Sequence, residues 1–162
     1  NTPGAGGSWS PFVTDAGMLY FTSDREDGKS EIYRMDLRSG ATSRVLNTPG
    51  AASSWAAYVT ADRTLYFTSD RAGGVPDIYR MDLSSGKVTR VLNTPGLASS
   101  WAPVVMSERL LYFTSDREGS KPEVFRMDLQ SGQLSRVTSS PGTAQSWLGA
   151  RTQTPSAGST AR

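Results

Sequence analysis

Short apolar runs alternate with short polar segments along most of the chain. In the run Met18–Ser23 apolar side chains fall on both sides of an extended chain, and in Glu31–Leu37 the residues Tyr33, Met35 and Leu37 share one face. Each run is too short for a helix, and no 3.6-residue period persists. The pattern therefore predicts β-strands, and strands that are apolar on both faces require neighbours on both sides.

The same pattern returns every 46 residues. The motif Asn-Thr-Pro-Gly begins at residues 1, 47 and 93, and a degenerate copy, Ser-Ser-Pro-Gly, begins at residue 139. Residues 1–46 and 47–92 are identical at 28 of 46 positions without an insertion, which chance cannot explain. The four tryptophans keep the same spacing: Trp9, Trp55, Trp101 and Trp147. The chain is therefore a tandem array of one structural unit.

Each copy predicts four short strands. In the first copy they are expected at Trp9–Thr14, Met18–Ser23, Glu31–Leu37 and Thr42–Leu46, separated by turns that contain Gly, Asp and Ser. Four strands in one repeat are typical of a β-propeller blade, whose period is about 40–50 residues. The predicted fold class is therefore all-β: a β-propeller of four-stranded antiparallel blades, with three full blades per chain.

The repeat divides the chain into five segments. Full blades are predicted at 1–46, 47–92 and 93–138, a partial fourth repeat at 139–152, and a disordered tail or linker at 153–162. Closed propellers have about four to eight blades, and an open arc of three exposes two apolar faces. We therefore expect self-association, with a dimer that closes a six-bladed ring under twofold symmetry. A nine-bladed trimer and a fragment of a longer chain remain alternatives.

Composition narrows the chemistry. The chain contains neither Cys nor His, which excludes disulfides, thiolate ligands, Cys nucleophiles and imidazole bases. No serine lies in a nucleophile elbow, and no phosphate-binding glycine loop is present. The net charge is +2 without basic clusters, and no apolar run approaches the length of a membrane span. We therefore predict no enzyme activity, no cofactor, no metal site, no nucleic-acid partner and no membrane insertion.

The repeated phrases resemble a known family. LYFTSDR, EIYRMDL-x-SG and RVLNTPG, with Ser-Trp-Ser-Pro at residues 8–11, resemble the TolB-like β-propeller repeat over residues 1–147. The second copy departs from that pattern at residues 56–57, where two alanines replace Ser-Pro. The resemblance implies six blades in the closed ring, and it favours a periplasmic or cell-surface location. Because propellers of this kind serve many roles, it implies the fold more strongly than the function.

The most polar recurring block is Thr-Ser-Asp-Arg, in the loop after each second strand. Its candidate ligand-binding residues are Asp24, Arg25, Asp70, Arg71, Asp116 and Arg117. One interpretation is a ring of Asp/Arg pairs at the channel mouth that holds a charged ligand or a cation. In the structural interpretation, which we favour, Asp accepts backbone N–H bonds in its turn and Arg binds a carboxylate such as Asp36 or its counterpart in the next blade. Arg34 is likewise expected to pair with Asp36, two residues along the same strand.

The tryptophans of the first strands are the other candidates. Trp9, Trp55 and Trp101 are either stacking platforms for sugars or, in the favoured interpretation, residues that pack between blades near the Pro-Gly loop. Connections in a β-meander alternate between its two ends. The Asn-Thr-Pro-Gly and Ser-Asp-Arg loops are therefore predicted to share one end of the propeller, the loop face, which is the predicted binding surface.

Three functions are compatible with these observations. The favoured one is a non-catalytic interaction or scaffold module that self-assembles and binds protein or peptide at its loop face. The second is a carbohydrate-binding, lectin-like propeller, which predicts quenching of Trp fluorescence by saccharides. The third is a gating fragment of a larger hydrolase, which requires a catalytic domain elsewhere.

Overall fold

The computed structural model describes residues 6–107, 109–119 and 121–148, which form three four-stranded sheets. Blade 1 contains β1 (Ser8–Val13), β2 (Met18–Ser23), β3 (Glu31–Asp36) and β4 (Thr42–Arg44). Blade 2 contains β5 (Ser54–Val59), β6 (Thr64–Ser69), β7 (Asp77–Asp82) and β8 (Val88–Arg90). Blade 3 contains β9 (Ser100–Met106), β10 (Leu110–Ser115), β11 (Glu123–Asp128) and β12 (Leu134–Arg136). Neighbouring strands are antiparallel and follow chain order, which confirms the predicted all-β class and four-stranded sheets.

The predicted strand limits hold to within two residues. β2 has the predicted limits, and β1 is shifted by one residue toward the N-terminus. β3 ends at Asp36, one residue early, because its carboxylate accepts the backbone N–H groups of Arg38 and Ser39 at 2.8 and 2.9 Å and so closes a turn. β4 ends at Arg44 rather than Leu46, because the two following N–H groups both donate to the carbonyl of Ile32. None of the described ranges contains a helix that could cross a membrane.

Each first strand carries a β-bulge. In β1, Trp9 pairs with Thr22 and Phe12 pairs with Tyr20, so two residues of β1 stand opposite one residue of β2. The irregularity recurs in β5 and β9. The first bulge residue has a positive φ, 50° at Ser10 and 54° at the alanines that replace it in blades 2 and 3. A bulge of this kind turns its N–H out of the strand ladder.

The blades stack side by side around a shared core. β5 packs against β2 and β9 packs against β6, while the first strands β1, β5 and β9 contact one another in turn. The rings of Phe12 and Tyr58 lie 4.8 Å apart, and the Tyr58 hydroxyl donates to the Val105 carbonyl at 2.7 Å. One hydrophobic cluster runs through the three sheets. The apolar faces predicted to need neighbours are therefore covered between blades.

The described Asn-Thr-Pro-Gly and Ser-Asp-Arg loops lie at one end of the blades, as predicted. The first Asn-Thr-Pro-Gly motif, at residues 1–4, lies outside the described residues. Lys29, in the loop after β2, donates through Nζ to the carbonyls of Thr48 at 2.6 Å and Gly50 at 3.2 Å. Lys121 makes the equivalent bond to the Gly142 carbonyl at 3.0 Å. Loops of consecutive repeats therefore meet along this surface.

Candidate functional site at the blade junctions

A buried polar network joins each blade to the next. At the first junction Thr48 Oγ1 donates to Glu31 Oε2 at 2.7 Å and lies 2.7 Å from Ser54 Oγ. Ser54 donates to Ser69 Oγ at 3.1 Å, and Arg71 Nη2 donates to Ser54 Oγ at 3.1 Å. The second junction repeats these contacts with Asp77, Thr94, Ser100, Ser115 and Arg117. An acid of one blade is thus connected to an arginine of the next through hydroxyl groups.

The acid that begins each third strand is the buried centre of this network. Glu31 is fully buried and accepts the N–H of Thr48 at 2.8 Å. At the equivalent place in blade 3, hydrogen bonds from Thr138 and Ser140 hold the pKa of Glu123 at about 2, below its ordinary value of 4.5. A buried carboxylate is tolerated only when it is hydrogen-bonded and paired, and each of these acids is.

Sequence reasoning missed these acids and their arginine partners. Arg44 Nη2 lies 3.1 Å from Glu31 Oε1, and Arg90 Nη2 lies 2.6 Å from Asp77 Oδ2. The signal was present, because an acid precedes the apolar pair of the third strand in every copy and an arginine follows thirteen positions later. An acid that opens an apolar strand in every repeat needs a buried partner.

A bulge contact fastens the same junctions. The N–H of Ala56, freed from the ladder by the bulge, donates to Thr22 Oγ1 of the preceding blade at 3.2 Å. The N–H of Ala102 donates to Thr68 Oγ1 at 3.1 Å in the same way. Both threonines are fully buried. The bulge in each first strand therefore has a structural role, since it supplies the donor that binds the previous blade.

The predicted arginines lie over stacked aromatic pairs, one in each blade: Arg25, Arg71 and Arg117. The guanidinium carbon of Arg71 is 5.1 Å from the ring centre of Phe67 and 5.2 Å from that of Tyr79. Its Nε donates to Ser69 Oγ at 3.0 Å, and burial lowers the pKa of the Arg71 guanidinium. A cation held on two rings and bonded to hydroxyls acts as an internal clamp.

Two predicted ion pairs are wrong. Arg25 donates to two serine hydroxyls, at 3.1 and 3.3 Å, rather than to Asp36. Arg34 Nε donates to Ser43 Oγ at 3.1 Å. Asp36 is held by the backbone N–H groups of Ser39 and its neighbour, which lower the pKa of the Asp36 carboxyl and fix it in the turn. Residues two apart on a strand share a face, but the Asp36 carboxylate bonds to the N–H groups of the following turn and not to Arg34.

The predicted acids of the Thr-Ser-Asp-Arg block tie the two loops of their own blade together. Asp24 Oδ1 accepts the N–H of Gly7 at 2.6 Å, and Asp70 and Asp116 make the equivalent bond at 2.6 Å. These carboxylates were expected to accept N–H groups of their own turns. Instead they accept an N–H of the segment that leads into the first strand. This geometry supports a structural role. Within the described residues, no group of three His, Cys, Asp or Glu side chains converges as in a metal site.

The predicted tryptophans differ in exposure. Trp9 is 39% exposed at the open end of blade 1, whereas Trp55 and Trp101 are half-buried. The ring of Trp101 lies 5.7 Å from that of Trp147. Stacking of sugars on these rings stays a prediction.

The loop face carries clefts between consecutive repeats. One, of about 440 Å³, is lined by Asp27, Gly28, Lys29, Gly50, Ala51 and Ser53. Another, of about 310 Å³, lies beside Glu118, Lys121 and Glu123. The predicted Asp, Arg and Trp residues line neither cleft. A larger cavity, of about 580 Å³, lies at the opposite end between blades 1 and 2, beside Ala16, Met18, Arg34, Val59 and Arg63.

The two ends of the three-blade arc expose complementary halves of a junction. Val13 of blade 1 is 39% exposed, whereas Val59 at the equivalent position of blade 2 is 6% exposed. At the other end Val137 is 49% exposed, whereas its counterpart Val45 is half-buried. Blade 1 holds the hydroxyl–arginine half of the network, and blade 3 holds the acid half around Glu123.

Stacked four-stranded meanders define the class of the molecule as a β-propeller. The sequence matches no protein-family model and no curated protein. Among solved structures, TolB from Acinetobacter baumannii superposes with a TM-score of 0.68 and 28% identity, over 84% of this chain and 33% of that chain. A putative TolB from Agrobacterium tumefaciens superposes with a TM-score of 0.67 and 24% identity, over 80% of this chain and 48% of that chain. The chain therefore has a TolB-like propeller fold, as the sequence predicted.

The chain spans between a third and a half of the length of these TolB structures. It also resembles parts of enzymes. A puromycin-hydrolyzing peptidase of Mycobacterium tuberculosis superposes with a TM-score of 0.61 at 14% identity, over 81% of this chain and 20% of that one. An oligogalacturonate lyase in complex with manganese superposes with a TM-score of 0.56 at 18% identity, over 77% of this chain and 37% of that chain. At these identities the likeness concerns the fold alone.

Proposed function

We propose that the protein is a non-catalytic interaction module that closes a ring with a second copy and binds protein or peptide at its loop face. The observation that carries the proposal is the complementarity of its two open ends. The end of blade 1 presents Val13 and Arg25, and the end of blade 3 presents the exposed Val137 together with Glu123, which lies buried beneath Thr138 and Ser140. At both internal junctions the equivalent first-strand valines, Val59 and Val105, and the equivalent acids, Glu31 and Asp77, are buried. An apolar face that lacks this cover favours association.

Twofold symmetry is the simplest way to use both ends. Two chains of three blades form two identical junctions and six blades, the number that the TolB resemblance implies. Arg25 of a second copy then approaches Glu123 as Arg71 approaches Glu31 within the chain, where the acid acts electrostatically on the arginine. Opposite charges at the two ends also fix the orientation of docking.

The test of ring closure is the mass in solution, measured by light scattering after gel filtration. We expect a species of about twice 17.4 kDa. Val13→Lys should convert it to a folded monomer, because Val13 is already part-exposed in the single chain and a buried lysine opposes docking. Leu97→Lys, at a loop residue that is 92% exposed, is the matched control and should remain dimeric. A monomeric parent chain, or a Val13→Lys dimer, would contradict the proposal.

The loop-face part of the proposal rests on the cleft between consecutive repeats. Peptides selected by display against the whole protein should lose at least tenfold in affinity with Ala51→Arg, which fills the 440 Å³ cleft. Ala16→Arg, in the cavity at the opposite end, should leave their binding unchanged. Loss with Ala16→Arg alone would place the binding site at the other end of the propeller.

A further inference from the structure

The segment that follows blade 3 repeats the contacts of a new blade. The N–H of Leu148 donates to Thr114 Oγ1 at 3.1 Å, as Ala56 and Ala102 do to the threonines of the preceding blades. The N–H of Ser146 donates to the Pro122 carbonyl at 3.1 Å, and the equivalent bonds at the internal junctions are 2.8 and 2.9 Å. Residues 139–148 are therefore docked on the open face of blade 3.

The same segment also takes part in the acid network. Ser140 donates through its N–H and its hydroxyl to Glu123, at 2.7 and 3.0 Å, and Ser140 Oγ lies 2.7 Å from Ser146 Oγ. At the first junction Thr48 makes the same contacts, with Glu31 through its N–H and its hydroxyl and with the hydroxyl of Ser54. The segment thus imitates the beginning of the next blade in both its backbone and its side-chain contacts.

The first strand of blade 1 has the same repeat position as this segment. Ser8, Trp9 and Ser10 correspond to Ser146, Trp147 and Leu148, 138 residues, or three 46-residue repeats, later in the sequence. If a second copy docks blade 1 on blade 3 with the geometry of the internal junctions, its bulge N–H at Ser10 requires the acceptor Thr114 Oγ1. That acceptor is already bound to Leu148. The two segments therefore compete for one place.

We propose that residues 139–148 form an intramolecular latch that holds the docking surface of blade 3 until the first strand of a second copy displaces it. This inference rests on the ring closure proposed above, and it adds a regulatory step to that closure. The docking surface of blade 3 fits a partner with three features: an extended strand with a bulge N–H, a serine hydroxyl that becomes buried on docking, and a following arginine.

The latch is the weaker of the two competitors. It brings hydroxyls to Glu123, but it lacks the arginine clamp that Arg71 and Arg117 provide at the internal junctions and that Arg25 offers from a second copy. Trp147 stays 58% exposed in the docked segment. A second copy therefore covers more apolar surface and completes the network.

The experiment uses the full chain with Leu148→Pro and Leu148→Ala. Proline removes the N–H that binds Thr114, whereas alanine keeps it and is the residue found at this position in blades 2 and 3. We expect Leu148→Pro to tighten the dimer dissociation constant by about fivefold to tenfold in analytical ultracentrifugation, because one hydrogen bond of the competitor is lost. Ser140→Ala should act in the same direction, since it weakens the latch at its other end.

A spectroscopic signal reports the latch itself. Among the described tryptophan pairs, the ring contact of Trp101 with Trp147 places two indoles 5.7 Å apart, close enough for exciton coupling in circular dichroism. This couplet should be strong in dilute protein, decrease as the dimer forms, and be absent in Trp147→Phe and weak in Leu148→Pro at all concentrations. Equal dimer affinity in the parent, Leu148→Pro and Leu148→Ala would overturn the latch but leave ring closure intact. A weaker Leu148→Pro dimer would also overturn it. Monomers throughout would refute ring closure and, with it, the latch.

Discussion

At the scale of single residues, the stacked aromatic pairs combine apolar packing with a polar group that must be accommodated. Tyr33 and Phe21 form the pair in blade 1, and Phe125 replaces the tyrosine in blade 3. Burial and the nearby carboxylate of Glu26 raise the pKa of the Tyr33 phenol. The buried hydroxyl of Tyr79 in blade 2 has no hydrogen-bond partner among the described residues. Burial raises the pKa of Tyr79, as expected for a phenol removed from water.

Removing this hydroxyl should stabilise the protein. We expect Tyr79→Phe to raise the free energy of unfolding by about 1 kcal/mol, because an unpaired buried polar atom costs more than it contributes. Urea denaturation monitored by circular dichroism measures the change. Tyr33→Phe is the matched control and should give no gain, since the Tyr33 hydroxyl has the carboxylate of Glu26 nearby. If Tyr79→Phe lost as much stability as Tyr33→Phe, the Tyr79 hydroxyl would have a hydrogen-bond partner in solution.

At the scale of the strand, the sequence was informative where periodicity and turn chemistry act locally. The limits of β2 and the shared end of the two long loops follow from alternation and from meander connectivity. The bulge at Ser10 and its alanine counterparts could not be predicted, because a positive φ at alanine has no local sequence signal. Ser10 adopts it although no blade precedes blade 1 in the chain, so the bulge belongs to the pairing of the first two strands within each blade. In blades 2 and 3 the N–H that the bulge frees donates to a buried threonine of the previous blade.

The partners of the charged residues were predicted poorly for a related reason. Spacing along a strand places Arg34 and Asp36 on one face, but it does not reveal that a turn captures the acid. The arginine of the Thr-Ser-Asp-Arg block was predicted to bind a carboxylate, but it lies over an aromatic pair. The two rings of that pair are on adjacent strands, so the pair cannot be recognised until the register of the strands is known. Glu31 could have been found, since its position is acidic in every repeat.

The hydroxyl that receives the bulge N–H should be important for the association of blades. We expect Thr68→Val, which keeps the shape of the side chain, to lower the free energy of unfolding by about 1–3 kcal/mol, because the N–H of Ala102 is left unpaired in a buried junction. Thermal and urea unfolding measure this loss. Thr89→Val removes an exposed acceptor of Arg80 and should change stability by less than about 0.5 kcal/mol. Equal effects would show that the junction bond contributes nothing specific.

At the scale of the whole molecule, the repeat distributes stability along the chain. Each blade contacts only its neighbours, so the internal junctions are complete and the two ends are not. Blade 3 contains two strongly acidic groups, one at each end of β11, since Glu123 and Asp128 both have a pKa of about 2. Hydrogen bonds from the backbone of Ser131, with the guanidinium of Arg109, depress the pKa of Asp128.

These depressed pKa values determine how stability depends on pH. In the unfolded chain the two groups titrate near 4.5 and 3.8, so below those values the unfolded state binds more protons than the folded one. Their contribution is therefore fully present above about pH 5 and is lost progressively as the pH falls toward 2. The chain has no histidine, so we expect the unfolding free energy to be nearly constant between pH 5 and 8.

The contribution of Glu123 can be separated from the rest. Glu123→Gln should lower stability at pH 7 and flatten the dependence on pH between about 4.5 and 2, because the amide cannot titrate but also accepts fewer of the hydrogen bonds from Thr138 and Ser140. Urea unfolding at a series of pH values provides the measurement. Glu118→Gln, at a half-exposed partner of Arg136, is the control and should keep the slope of the parent chain. If the unfolding free energy of Glu123→Gln depended on pH as steeply as that of the parent chain, the hydrogen bonds around this acid would not be stabilising its ionised form. The acid half of the open junction would then lose its electrostatic basis for attracting Arg25 of a second copy.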